Sequence, residues 1–395
     1  MGTSLEINLL HNKKIAIVGG GPGGLTLARL LQLKGAEVKV YERDQSQASR
    51  VQGAIVDLHF ESGLKAIEAA GLMDAFKANY MPGADKFRVV GPDAKILLDE
   101  DEQSAEAKFG DENFRPEIDR GALRDILIAA LLPDTVVWDS QFVNMLQVED
   151  RWDLQFSNGT KAIADIVIGS DGYRSRIRPH LTDIKALYSG AMIIQGEIEY
   201  PERECPEMYK LVNQANLMAM GAGASIAAQP RGDGGLTFYA TSLYPENWVS
   251  TSGIDFNNPE EVRTYLIDHF ADWNPIFFTL FEACKNFVLR PLNYFPLEKR
   301  WQTRSNLTLI GDAAHLMPPN GEGVNLAMLD AFDLSECLTD PEFRNHNDAI
   351  SAYENRMIER SASLCQETVE GIKDFAAPTE ESVRELIKML TQEKI

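Results

Sequence analysis

Paired cysteines are missing from this chain. Cys205, Cys284, Cys337 and Cys365 stand far apart, and no C-x-x-C occurs among them. That spacing removes support for a redox-active disulfide or a cysteine-held zinc, and scattered single thiols fit a reducing cytoplasm. No H-E-x-x-H and no paired-histidine spacing occurs either, so no metal is expected. Positive charge is scarce: 38 Lys and Arg face 59 Asp and Glu, a formal net charge of −21, which repels nucleic acid and anionic membranes. Long apolar runs are absent too. Stretches such as "ILIAALL" fall far short of a bilayer span, and the opening "MGTSLEINLLHNKK" has no signal-peptide core. Glu6 breaks a myristoylation pattern. No repeat or low-complexity tract is found. What remains is a cytoplasmic protein, expected to be a monomer, that handles small molecules and neither nucleic acid nor membrane.

What is present is a large core. Hydrophobic residues make up 44% of 395, enough for two or three domains or one α/β body with an insertion. "KKIAIVGGGPGG" reads as a buried strand, Ile15 to Val18, entering a glycine turn. "GLTLARLLQLKG" reads as a helix stopping at Gly35, and "AEVKVYERD" as the next strand, so a βαβ start with a parallel sheet is implied. "ESGLKAIEAAGLMDAFKANY" is helical in period, and "FRVVGPDAKILL" is a hairpin. Asp119 can cap the helix "RGALRDILIAALL". "TVVWDS" reads as a strand, "WDLQFSNGTKAIA" as a hairpin and "DIVIGSDG" as an apolar strand. From about 188 to 298 antiparallel strands with Gly-, Pro- and Asp-rich loops take over. "NLTLIGDAAH" then returns to the first body, and a long helix follows from about 348, broken near Pro378. The predicted division is therefore 1–187 and 299–347 for a nucleotide-binding domain, 188–298 for an inserted sheet domain, and 348–395 for a C-terminal helix packing on both.

Gly19, Gly21 and Gly24 match G-x-G-x-x-G between strand and helix. The first permits a tight turn, the second lets backbone approach a pyrophosphate, the third lets helix and strand pack closely, and the helix N-terminus faces the anion. Glu42 follows at the end of the second strand, where a carboxylate accepts from ribose hydroxyls and repels a 2′-phosphate. The loop is thus expected to hold FAD or NAD rather than NADP.

A second glycine stretch, "GDAAHLMPPNGEGVN" at 311–325, has no place in a plain nicotinamide dehydrogenase. Three features recur in order: "GGGPGG" with "VYERD", "DIVIGSDGYRSRIR", and "LTLIGDAAHLMPPNGEGVNLAMLDA". Together they resemble the single-component FAD-dependent aromatic hydroxylases, the p-hydroxybenzoate hydroxylase-like family, across nearly the whole chain. Within it, "PEIDRGALRDIL", "GDAAHLMPP" and "FPLEKRW" are most similar to the tetracycline-inactivating flavin monooxygenases. The resemblance implies an α/β fold: a Rossmann-like FAD-binding domain of glutathione-reductase type with a parallel sheet, an inserted antiparallel-sheet substrate domain and a long C-terminal helix.

The resemblance also assigns roles. Beside Gly19, Gly21, Gly24, Glu42 and Arg43, it implies that Asp57 and Arg120 contact FAD, and that Arg50 assists NADPH. Asp171-Gly172 would serve both cofactors, and Asp312 would bind the ribityl hydroxyls. Gly323, Val324 and Asn325 would open a helix aimed at the flavin N1–C2=O edge. Pro318, Pro319 and Gly323 would shape the C4a side, and His315 would be structural; no protein residue is expected to carry the chemistry itself. The implied reaction takes electrons from NADPH and transfers oxygen from O2, through a flavin C4a-hydroperoxide, to a polycyclic, phenolic or enolic substrate. Candidate substrate residues are Gln195, Asn216, Met218, Ala227, Thr237 and Tyr239. Here the pattern departs. The tetracycline enzymes carry Arg and His at the positions of Asn216 and Thr237, a large aromatic at Ala227 and Gly at Tyr239. Only Asn320 separates Pro319 from Gly321, a loop one residue shorter than usual. Tetracycline-type antibiotics therefore stand as one substrate expectation. A flavin dehydrogenase or reductase without oxygen transfer, and a non-catalytic flavin-binding module, stay open as alternatives.

Overall fold

The computed structural model describes residues 9–49, 55–100 and 108–392. The apolar strand Lys14–Val18 is buried from Ile15 onward and forms the centre of a parallel sheet. From one edge to the other the order is Leu307–Leu309, Ile166–Gly169, Lys14–Val18, Glu37–Tyr41 and Val136–Val137. The first helix, Pro22–Leu33, starts with proline in its first turn, where no amide is needed, and the chain leaves it through Gly35 at φ 81°. Asp119 caps Arg120–Ala129 as expected, accepting from the amides of Gly121 and Ala122 at 2.7 and 3.0 Å.

The second large sheet has seven strands: Phe287–Tyr294, Leu187–Ile198, Leu236–Leu243, Ala224–Pro230, Asn216–Gly221, Phe87–Val90 and Ile96–Asp99. Its last two strands are the hairpin that the sequence placed within 1–187. Phe87–Val90 instead pairs in parallel with Asn216–Gly221, so the sheet recruits strands from both sides of the expected boundary. One face of this sheet packs Phe238, Ile194 and Ile226 against helices that include Pro206–Val212, Pro259–His269 and Phe278–Ala283. The other face turns toward the first domain. The tail helices cover part of it: Ile372 and Ala376 of His346–Ala376 meet Ile193, and Val383 of Glu380–Gln392 meets Val89 and Met220.

Several local expectations needed correction. The helical period over 61–80 is cut into Phe60–Leu64, a wider π-type turn, then Lys65–Ala69 and Met73–Lys77, because Gly71 adopts φ 71°. Of "TVVWDS" only Val136–Val137 pairs. Strand Phe142–Val148 escaped notice because its exposed residues, such as Val143 and Leu146, are as apolar as its buried ones, leaving no alternation to read.

Helix Gly323–Thr339 lies directly against Pro22–Leu33. A methyl added at Gly23 falls 2.8 Å from the Ala327 carbonyl oxygen, and one at Gly311 falls 2.9 Å from the Ala327 Cβ. Only glycine permits this approach. Gly23→Ala is expected to cost about 1–3 kcal/mol through overpacking, read from the shift in urea midpoint; an unchanged midpoint contradicts the contact.

Candidate functional site

The two glycine stretches meet at one cleft, at the C-terminal ends of the parallel strands. Val18 runs into Gly19, whose φ is 110°, and a Cβ there would lie 2.2 Å from the Ser170 carbonyl oxygen. A Cβ at Gly24 would lie 2.2 Å from the Gly19 oxygen. Both glycines therefore serve packing. Gly21 differs: an added Cβ meets nothing within 4 Å among the described residues, and the same holds at Gly323. These are the first turns of two helices, twelve and seventeen residues long, whose leading amides have no intrahelical acceptor. Open space beside unpaired amides and two positive helix ends makes a cradle for a group with phosphates and an electron-accepting ring.

The acidic residues around the cradle divide into occupied and available. Glu42 is buried and accepts from Gly20 N at 2.6 Å and Asp44 N at 3.0 Å, so it shapes the glycine turn. Arg43 beside it is exposed. One Asp171 oxygen accepts from the amides of Arg176 and Ile177 at 2.7 and 3.2 Å, while Oδ1 is buried without a partner among the described residues. Burial raises the Asp171 carboxyl above its ordinary range. Gly172 adopts φ 76°, which turns the chain away. Asp312 lines the cleft: its side chain reaches solvent, yet surrounding protein pushes its carboxyl up, against the lowering fields of His315 and Arg120. Arg120 is exposed, with no hydrogen-bond or ion-pair partner among the described residues. Arg50 lies outside the described residues.

Asn325 has a structural side chain. Its side chain does not reach into the cleft as a free ligand. Oδ1 accepts from His59 N at 2.9 Å, Gly63 N at 3.2 Å and Ser62 Oγ at 3.2 Å, and Nδ2 donates to the Asp57 carbonyl at 3.0 Å. Only the backbone amide of Asn325, with those of Gly323 and Val324, is left for a ligand. Asp57 in turn holds His59 Nε2 at 2.7 Å, and Glu322 holds Nδ1 at 3.2 Å. Burial alone would lower the His59 pKa, but the hydrogen bonds to Asp57 and Glu322 carry it up to about 9. His59 was not singled out from the sequence. Its signal was the spacing D-x-H, which acquires meaning only when Glu322 arrives from far along the chain.

His315 is structural. It is buried, with Nε2 2.6 Å from Asp330 Oδ2, and Asp330 also accepts from Gly311 N at 2.8 Å and Arg360 Nη2 at 2.7 Å. Buried Arg178 donates to the Ala313 and Ala314 carbonyls at 3.0 and 2.8 Å and stacks on Phe295. Together these fix Asp312–His315 and the loop after it, where Pro318 is buried and Pro319 exposed.

The strand register places all six candidate substrate residues on one sheet face. Gln195 pairs Tyr239, Tyr239 pairs Ala227, and Ala227 pairs Met218; Thr237 and Asn216 follow two residues along their strands. Met218, Ala227 and Tyr239 are partly exposed and form the accessible patch. Gln195, Asn216 and Thr237 are buried. Asn216 Nδ2 is already committed, to Glu117 Oε1 at 2.9 Å and the Ala84 carbonyl at 3.2 Å. Glu117 itself is a feature that sequence reading missed. It lies on Glu117–Asp119, beside Asp57 on Ile55–Asp57, and its Oε2 has no partner among the described residues. Burial, then the nearby Asp57 charge, push its carboxyl up to about 8.

The sequence pattern of the FAD binding domain family matches residues 12–193 and 297–368. Monooxygenase asqM of Emericella nidulans is 28% identical over 380 residues, spanning 82% of this chain and 83% of that protein. The 6-hydroxynicotinate 3-monooxygenase of Pseudomonas fluorescens is 27% identical over 376 residues, spanning 90% of each. The crystal structure of the tetracycline destructase Tet(51) superposes with a TM-score of 0.71 at 19% identity, covering 97% of this chain and 96% of that one.

Glu117 supplies a test of the site's electrostatics. Its folded pKa lies above its unfolded value, so its contribution is fully present below about pH 4.5 and is lost as pH rises toward about 8. Glu117→Gln removes that loss. The variant is expected to match the parent at acid pH and become progressively more stable than it between these values, by urea denaturation at each pH. A constant difference across the range contradicts the buried neutral carboxyl.

Proposed function

The chain belongs to the FAD binding domain family and acts as a FAD-dependent monooxygenase, and we propose that NADPH supplies its electrons and that its substrate is a phenolic, enolic or polycyclic small molecule. The observation that carries this reading is the convergence of two helix N-termini on one open cradle at Gly21 and Gly323. A single phosphate-binding helix suffices for a nicotinamide nucleotide. A second one, 300 residues later in sequence and in contact with the first, suits the far end of a longer cofactor.

The first-turn amides at Gly21–Gly24 would hold the pyrophosphate of FAD, and Glu42 its adenosine ribose. Asp312 would accept from the ribityl hydroxyls, and Arg120 would offer an unpaired guanidinium close by. Bound FAD supplies the redox chemistry, taking hydride and activating O2. The amides at Gly323–Asn325 and the positive end of their helix stabilise negative charge on the ring edge. Asn325, through its four hydrogen bonds, keeps that helix start in place. Pro318 and Pro319 border the reacting side without amide N–H groups, and the apolar patch of Met218 and Ala227 limits water there. We take 188–298 with the hairpin 87–99 as the substrate-binding part and the remainder as the FAD-binding part.

The named relatives range from a hydroxynicotinate enzyme to a tetracycline destructase, and the test spans that range. The test uses NADPH, 18O-labelled O2 and a panel of phenols, hydroxylated N-heterocycles and a tetracycline. Substrate-stimulated NADPH oxidation with one labelled oxygen in a product is expected. NADPH oxidation that bleaches the flavin but labels no product favours a dehydrogenase or reductase. A flavin that NADPH leaves oxidised favours a non-catalytic module.

A further inference from the structure

Glu322 stands immediately before the helix Gly323–Thr339, and its carbonyl takes the first helical hydrogen bond, from Leu326 N at 2.8 Å. It is the N-terminal capping residue of the helix whose leading amides open onto the cleft. Its side chain nevertheless caps nothing: among the described residues no hydrogen bond runs from those amides to its carboxylate. A carboxylate at this position is drawn toward unpaired N–H groups and the positive helix end. Here it is turned the other way, with Oε1 3.2 Å from His59 Nδ1.

His59 is well placed to hold it. Its Nε2 is 2.7 Å from Asp57 Oδ2, so each ring nitrogen faces a carboxylate. An ionised carboxylate only accepts, and a neutral imidazole has a single N–H, so both contacts are hydrogen bonds only when the ring is an imidazolium. Burial opposes that form, yet the hydrogen bonds to Asp57 and Glu322 carry the pKa up to about 9, which keeps the ring charged at neutral pH. The residue is also fixed at its backbone, because its amide donates to Asn325 Oδ1 at 2.9 Å. With the backbone tied to the helix start and Nε2 tied to Asp57, Nδ1 is left for Glu322. The His59, Asp57 and Glu322 side chains are 15, 27 and 28% exposed, so solvent screens their attraction less than it would on an open surface.

We propose that His59 is a positioning residue that holds the Glu322 carboxylate off the start of the helix Gly323–Thr339, and so keeps the amides of Gly323, Val324 and Asn325 free for the cofactor. The proposal rests on the FAD reading of the cleft and adds to it the residue that keeps the second helix start open. Two effects of losing His59 follow. A released Glu322 carboxylate would compete with the flavin ring edge for the same amides. Its negative charge there would also oppose the charge that a reduced ring gathers at that edge. The second effect acts mainly on the reduced state, so reduced FAD should suffer more than oxidised FAD.

The experiment compares four proteins: the parent, His59→Gln, Glu322→Ala and the double variant. The Kd of oxidised FAD is read by flavin fluorescence, and the two-electron midpoint potential of bound FAD is read against a reference dye at neutral pH. Far-UV circular dichroism checks folding, and His59→Ala is measured beside His59→Gln as a second removal of the imidazolium. His59→Gln is expected to weaken oxidised FAD by about threefold and reduced FAD by about tenfold more, which lowers the midpoint potential by about 30 mV. Glu322→Ala alone should leave both readings at or slightly above the parent's affinity and potential. The double variant should return to the Glu322→Ala values, because the carboxylate to be restrained is gone. A merely structural histidine predicts the opposite, a double variant at least as impaired as His59→Gln. That result overturns the proposal, as does a folded His59→Gln or His59→Ala variant with the parent's potential. A parent protein that binds no FAD overturns the cofactor reading and this proposal with it; FAD bound by the parent, with no difference among the four, overturns the role of His59 alone.

Discussion

The close approach of Gly23 and Ala327 is the contact on which the cleft depends. It brings the helix after the first glycine loop against the helix after the second, with a carbonyl oxygen where any Cβ would otherwise stand. Two helix starts then open onto one space. If the helices stood a methyl group further apart, the amides of Gly21–Gly24 and Gly323–Asn325 would no longer open onto one space. Glycine at position 23 thus serves packing, whereas glycine at 21 and 323 leaves open space among the described residues. Asn325 completes the arrangement, because its four hydrogen bonds tie the second helix start to the segment 57–63 and leave only backbone amides facing the cleft.

Electrostatics divides the molecule in the same way. The chain as a whole is strongly acidic, yet Arg120 beside the cleft has no hydrogen-bond or ion-pair partner among the described residues. Several acidic groups in the same region are buried or already bonded. Burial keeps Glu117 protonated into the neutral range, and Asp57 and Glu322 share the His59 imidazolium.

Much of this was legible in the sequence wherever the cause is local. The glycine fingerprint, the Asp119 cap, the Gly35 stop and the return strand Leu307–Leu309 depend on residues within a turn or two of each other. The second glycine stretch was assigned through family resemblance, and in the structure its helix packs against the helix that follows the first stretch. The misses that bear on the site share one physical origin, which is long-range pairing. The hairpin 87–99 joined the far sheet because its partner strand, Asn216–Gly221, lies more than a hundred residues on. Asn325 bonds to His59 across 266 positions, and Asn216 to Glu117 across 99. Side-chain type alone does not reveal which polar groups are already satisfied, and that decides which remain for ligands.

The central claim is that the two glycine stretches form one FAD site. Its most direct measurement is the FAD dissociation constant of Gly21→Val and Gly323→Val, by flavin fluorescence, alongside far-UV circular dichroism. Each added side chain enters open space rather than packed protein, so both variants should stay folded and both should lose FAD affinity by tenfold or more. A folded Gly323→Val variant with unchanged FAD affinity would contradict the account, since the second stretch would then lie outside the cofactor site.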